Sequence, residues 1–165
     1  MSYFFDKGKK AERRFGELVG IPESDYATKE EDMYEHWDLK YKNKKIDVKG
    51  LKKLHRNDIN PNEDWNWIEL TNVWGDTGWL YGKADQFAFE TYNYWILVSK
   101  DKLQKHIEKY VDKTILYTDE RKPYRIFNRK GRKDVITPIK TMDLLVLADE
   151  VIIKKKFYQY GFTVL

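Results

Sequence analysis

The stretch His36–Gly50, HWDLKYKNKKIDVKG, constrains this chain most, because apolar and charged residues alternate on both sides of a short polar break. Strand side chains point to opposite faces in turn. Trp37, Leu39 and Tyr41 then share one face, and Asp38, Lys40 and Lys42 the other. In the second half Ile46 and Val48 fall on the apolar face, and Lys45, Asp47 and Lys49 on the polar one. The pattern predicts a hairpin that turns at Asn43-Lys44. That loop pairs Tyr41 with Ile46, Lys40 with Asp47, Leu39 with Val48 and Asp38 with Lys49. A one-residue slip would mix the faces, so the pattern supports this register. Asp38–Lys49 and Asp47–Lys40 are then either ordinary cross-strand ion pairs, worth about 0.2–1 kcal/mol each, or part of a chemical site.

Around the hairpin, KGKKAERRFGELVG (7–20) predicts a helix with Ala11, Phe15, Leu18 and Val19 on its buried face and Gly20 as its stop. Lys7, Lys9, Lys10, Arg13 and Arg14 crowd its first turns, where cations oppose the helix dipole; they suit an anionic partner or a solvated face. Residues 21–35 read as an acidic connecting loop with at most a helical turn. After the hairpin, Lys52, Lys53, His55 and Arg56 lie on a basic loop rich in turn residues, where they are candidates for phosphate contacts. WNWIELTNVW (65–74) alternates as a third strand, with Glu69 on its polar side. GWLYGKADQFAFE (78–90) has Leu80, Ala84, Phe87 and Ala88 at helical spacing, and NYWILVSK (93–100) reads as a strand buried on both faces. DKLQKHIEKYV (101–111) predicts a short amphipathic helix. Further on, TILYT and YRIFNR suggest strands, NRKGRKD a basic turn, TPIKTMDLLVLADE a helix after Pro138, and VIIKKKFYQYGF a strand or packed tail. The expectation is one α/β or α+β domain over 1–165, a central mixed sheet flanked by helices, with a core over 7–100 and a C-terminal extension over 112–165.

Composition narrows the chemistry. The absence of cysteine excludes disulfides and thiolate zinc sites, and the three histidines (His36, His55, His106) are too scattered for a histidine cluster. A metal would therefore be held by oxygen, which favours magnesium or manganese. No apolar run is long enough for a membrane span and no signal-peptide pattern opens the chain, so the expectation is a cytoplasmic protein with no membrane partner. Hydrolysis of a phosphodiester needs an activated water and relief of developing charge, which carboxylate-held magnesium supplies. Asp38, Asp47 and Lys49 are the residue types this requires, with Glu12, Glu17 or Glu69 able to complete a metal shell and the Val48 carbonyl as a further oxygen ligand.

Asp38 followed by Asp47-Val48-Lys49 at the end of the next strand resembles the signature of the PD-(D/E)xK nuclease superfamily. KGKKAERRFGELVG also resembles the first helix of archaeal-type Holliday junction resolvases, in which a glutamate of an ER pair assists metal binding; that position is Glu12 here. The superfamily resemblance covers somewhat more than half of the chain and the resolvase resemblance only the first helix and hairpin. Together they imply a restriction-endonuclease-like core, magnesium-dependent cleavage of DNA, including branched or structured DNA, and often a homodimer, with RNA left open as a substrate. They also imply backbone contacts from Lys83 and Gln86 on the helix expected after the third strand. Trp37 stands where the motif has proline, and the Asp38–Asp47 loop is short. Lys9, Lys10, Arg13, Lys52, Lys53, Arg56 and Lys83 are the candidate nucleic-acid contacts. The other readings are a non-catalytic nucleic-acid-binding domain, using the basic helix and the Trp-rich strand, and a protein-interaction module presenting its aromatics.

Overall fold

The computed structural model describes residues 3–118 and 121–154, with side chains from Lys10 onward. Two mixed sheets and a few helices make an α+β architecture. The elements are α1 (Tyr3–Val19), β1 (Leu39–Tyr41), β2 (Lys44–Lys49), β3 (Trp65–Thr71), β4 (Gln86–Glu90), β5 (Tyr94–Ser99), α2 (Lys100–Tyr110), β6 (Asp112–Tyr117), β7 (Arg125–Phe127), β8 (Val135–Lys140), α3 (Thr141–Leu147) and β9 (Glu150–Ile153). The first sheet runs β1-β2-β4-β5-β9 and the second β3-β8-β7-β6. Strands β2 and β4 are parallel, as are β6 and β7, and the other pairings are antiparallel. Among the described residues no helix is long and apolar enough to cross a membrane.

Helix α1 forms where the apolar spacing predicts, and its end follows from Gly20. That residue takes φ +72, its N–H donates to Glu17 O, and the N–H of Ile21 donates to Gly16 O, the double closure of a left-handed helix stop. The helix buries Ala11 and Phe15 against Leu39, Ile46, Val48, Ala88, Trp95 and Leu97 of the first sheet. Phe15 meets Trp95 edge-on at 5.2 Å and Tyr41 at 5.9 Å. On the opposite face Phe87, Phe89, Ile96 and Val98 pack against Ile68, Leu70 and Ile139 of the second sheet, Leu103 and Ile107 of α2, and Leu144 of α3. Strand β4 is thus covered on both sides, and all five of its residues are buried.

Several expectations need correction. The hairpin turns at Lys42-Asn43, both with positive φ, as tight two-residue hairpin loops require. Its register is therefore Leu39↔Ile46, Lys40↔Lys45 and Tyr41↔Lys44, two residues away from the expected pairing but with the same parity. Alternation breaks at Asp38, so Trp37 packs into the cluster between the sheets while Leu39 packs under α1. Strand β3 does not extend the hairpin; it pairs with β8 in the second sheet. Residues 78–90 are not a helix: a 3-10 turn spans Trp79–Tyr81 and β4 follows. Gln86 is accordingly a buried strand residue, its amide donating to Asp149 at 3.0 Å, and Lys83 lies in the loop before it. Pro138 and Ile139 belong to β8, so the last helix begins later, at Thr141, and leaves Met142 exposed. Residues 155–165 of the predicted tail lie outside the described residues.

Glu90, the last residue of β4, ties α1 to the chain just after β2 and just after β9. Its buried carboxylate takes a two-pronged contact from Arg14 (2.9 and 2.7 Å) and one from Lys154 (2.8 Å), just after β9, with the Leu51 N–H at 3.2 Å. Burial raises its pKa, but Arg14 and Lys154 outweigh that and hold it below the ordinary glutamate value. Since Arg14 is half exposed and Lys154 remains, Arg14→Ala is expected to cost about 1–2 kcal/mol in urea denaturation at neutral pH. A carboxylate with a lowered pKa contributes stability above its unfolded value and loses it as pH falls through the folded one. The gap between variant and wild type should therefore close in acid, where protonated Glu90 leaves Arg14 no charge to hold.

Candidate functional site

The hairpin register brings Asp38 beside β2 rather than opposite Lys49. Asp38 Oδ2 accepts the Val48 N–H at 2.6 Å, its backbone N–H donates to Ile46 O at 2.8 Å, and its backbone oxygen accepts the Ala27 N–H at 2.7 Å. These three bonds hold a buried carboxylate at the hairpin's open end. Asp47, on the face turned toward the second sheet, is 4% exposed. Its Oδ1 contacts Lys49 Nζ at 2.7 Å, while its Oδ2 is buried without a hydrogen-bond partner among the described residues. The expected cross-strand pairs Asp38–Lys49 and Lys40–Asp47 do not form. Lys49 instead bridges to Asp47 on its own strand and lies over the Trp79 ring, 4.1 Å from its centroid.

Burial is the main reason the Asp38 pKa stands well above the usual aspartate value, and the charges of Asp47 and Glu12 add to it against Lys49 and the Val48 N–H. Asp47 is raised too, again by burial, with Lys49 and then the neighbouring Asp38 carboxyl opposing. An accumulation of negative charge that burial disfavours is what a bound cation would relieve. Oxygens of Glu12, Asp32 and Asp38 lie within 4.8 Å of one another, a spacing that a hard divalent ion can bridge. Glu12 reaches this point because Gly50, just past β2, lets the strand end approach α1. A Cβ there would lie 2.8 Å from the Ala11 Cβ.

Asp38 thus stands between two sets: the carboxylates of Glu12 and Asp32 at ligand distance on the α1 side, and the Asp47–Lys49 pair on the other face of β2, whose charges also reach it. Val48 enters through its N–H. Glu17 is exposed and acts on Tyr26 instead. Glu69 lies on the other flank, where its Oε1 accepts the Trp79 N–H at 3.3 Å. Its charge, with those of Lys49, Asp47 and Arg129, bears on Lys52; crowding, then Lys49, lowers the pKa of Lys52 although that residue keeps solvent contact. The α1 side of the hairpin is therefore acidic, whereas on the side of the second sheet Lys49, Lys52 and Arg129 are mixed with Asp47 and Glu69.

Among the other expected contacts, Lys10, Lys53 and Arg56 are exposed, and the side chain of Lys9 lies outside the described residues. Arg13 pairs with Glu23 and covers Tyr26, so its charge is already met. Lys83 pairs with Glu35 at 3.1 Å. Glu35 also accepts from Trp37 Nε1 and Lys45, which brings its pKa down to about 2.

Sequence reasoning missed Asp32. A signal was present in Thr28-x-x-Glu31, a capping box: the Thr28 hydroxyl accepts the Glu31 N–H at 3.2 Å and the Glu31 carboxylate accepts the Thr28 N–H at 2.8 Å. It starts the short wide helical turn Glu31–Glu35 that carries Asp32 toward Asp38. His36, in the left-handed conformation at φ +57, ends that turn and acts electrostatically on Asp47.

No family model, curated protein or solved structure matches this chain.

A carboxyl whose folded pKa is raised contributes stability below its unfolded pKa and loses it as pH rises through the folded value. Asp38→Asn keeps an oxygen for the Val48 N–H and removes the charge. In EDTA at neutral pH it is expected to melt a few degrees above wild type by calorimetry. The difference should vanish below about pH 4, where Asp38 is protonated even when unfolded.

Proposed function

We propose that this protein is a metal-dependent endonuclease that hydrolyses phosphodiester bonds in DNA, with Asp38, Asp47 and Lys49 as its PD-(D/E)xK triad. One observation carries the reading: the carboxyls of Asp38 and Asp47 are buried side by side, with the Lys49 amine 2.7 Å from Asp47. A surface hairpin with ordinary ion pairs would have no reason to bury two like charges, since an uncompensated buried charge is costly.

The residues fit a magnesium or manganese ion. The donors are all oxygen, the charge is excessive without a cation, and Glu12 and Asp32 offer further ligands beside Asp38. When bound, such an ion lowers the pKa of a coordinated water and offsets the charge that develops on a phosphate. Asp38 would hold the ion with Asp47 and the Glu12–Asp32 carboxylates around it, and the Val48 N–H fixes the rotamer of Asp38. Lys49, kept beside Asp47 and over Trp79, orients the attacking water or meets charge on the phosphate. Lys52 and Arg129 extend the positive flank along which a phosphate backbone lies. In this reading α1 and β1-β2-β4 correspond to the restriction-endonuclease-like core, with β3 and the Trp79–Tyr81 turn in the crossover where a helix is expected. Glu12, rather than Glu69, would complete the metal shell, because it is the one whose carboxylate lies at ligand distance from Asp38.

With supercoiled plasmid and magnesium, Asp47→Ala and Lys49→Ala are each expected to lower cleavage at least about a hundredfold while circular dichroism stays unchanged. Glu12→Gln should lower it strongly and Glu69→Gln much less. Cleavage by both triad variants at the wild-type rate would overturn the proposal. Independently of turnover, magnesium at about a hundred times its dissociation constant should stabilise wild type by about 2.7 kcal/mol. Asp47→Asn should lose most of that gain in a thermal shift.

A further inference from the structure

The turn between β7 and β8 concentrates Arg129, Lys130, Arg132 and Lys133 around Gly131. Among the described residues only Arg129 has an ion-pair partner there, the buried Asp134, and Lys130, Arg132 and Lys133 are exposed. The turn has a defined shape. The Asn128 side-chain amide donates to Arg132 O at 2.9 Å and Asp134 O at 2.7 Å, and the Arg132 N–H donates to Arg129 O at 3.0 Å.

A second turn, just after β3, docks against it. The Lys133 N–H donates to Val73 O at 3.3 Å, and the Lys133 stem lies over Gly75, where an added Cβ would come within 3.3 Å of its Cδ. Asn72 builds this second turn: its Oδ1 accepts the N–H groups of Trp74 and Asp76, each at 3.0 Å. The result holds Trp74 outward, 78% exposed, on a turn that docks against Lys133 of the cationic turn, with Asp76 as its one carboxylate. A lone exposed apolar residue means little. An exposed indole on a fixed turn beside a cationic turn has the two parts of a single-strand grip, a stacking face and phosphate counter-charges. Arg129 at the base of this turn also acts electrostatically on Lys52, as do Lys49 and Asp47.

We infer that these two turns form an arm that grips single-stranded nucleic acid. Trp74 stacks on an unpaired base, and Lys130, Arg132 and Lys133 follow the phosphates toward Lys52. Duplex does not satisfy Trp74, since its base faces are already stacked. The arm's alignment with Asp47 and Lys49 rests on the nuclease reading; its grip does not, and it can be measured without cleavage.

The test is fluorescence anisotropy in EDTA with labelled oligothymidine, oligouridine and a blunt duplex of equal length. Trp74→Ala should weaken binding of at least one single strand about tenfold or more and leave the duplex within about twofold. The triple variant Lys130→Gln, Arg132→Gln, Lys133→Gln should lower the slope of log affinity against log salt by about 2. Both variants should melt as wild type does, since the substituted side chains are exposed. Wild-type binding of both single strands by Trp74→Ala, or an equal loss on the duplex, would overturn the arm. A protein that cuts DNA but binds independently of Trp74 and the three cations removes the arm alone. One that binds through them but never cuts removes the nuclease reading alone.

Discussion

Strand β2 has to satisfy two different neighbours at once, and the rest of the molecule is arranged around that demand. One face, Ile46 and Val48, is sealed by α1 through Ala11 and Phe15. The other carries Asp47 and Lys49 toward the second sheet, with Trp79 against the lysine. A strand covered on both faces is ordinarily apolar throughout. Here the inner position is a carboxylate. Placing it there costs free energy that Lys49 offsets only on one oxygen. The large apolar clusters on either side and the Glu90 junction between α1, β4 and the end of β9 supply the stability that tolerates this local conflict. Such local conflicts concentrate at functional sites.

The sequence made some elements legible because a single period dominated them. Helix α1 and helix α2 each present one apolar face, and β5 is an unbroken apolar run. The hairpin was legible in existence and parity but not in register. Placing the turn depends on which residues accept positive φ, and Lys42 carries no mark of that, whereas Asn43 does. Residues 78–90 misled for a related reason. In a strand buried on both faces, Phe87, Ala88 and Phe89 are all apolar, and such a run matches helical spacing as readily as strand spacing.

The candidate site divides in the same way. Asp47 and Lys49 share a face of β2 as strand alternation predicts, whereas Asp38 sits where the alternation of β1 breaks and is placed by the hairpin's register. Glu12 depends on how closely α1 approaches the sheet, which Gly50 and Ala11 decide and no helix period reveals. Asp32 lies in a stretch without periodicity, and only its capping box marks it. The sheet to which β3 belongs was not legible, since its partner β8 comes much later in the chain and strand alternation does not name a partner.

That late pairing also bears on how the molecule assembles. The β1–β2 hairpin closes through near neighbours in sequence, so both aspartates can be set early. Strand β3 must wait for β8, with Trp65 opposite Lys140, and contacts of such long range form slowly. The parallel β2–β4 pair likewise encloses the whole of β3 in its crossover. On this topology the acidic hairpin precedes the wall that faces it, and the cleft closes among the last events of folding. On this order of events Asp47 stays hydrated until the second sheet closes over it, so the cost of burying it falls on the last steps of folding.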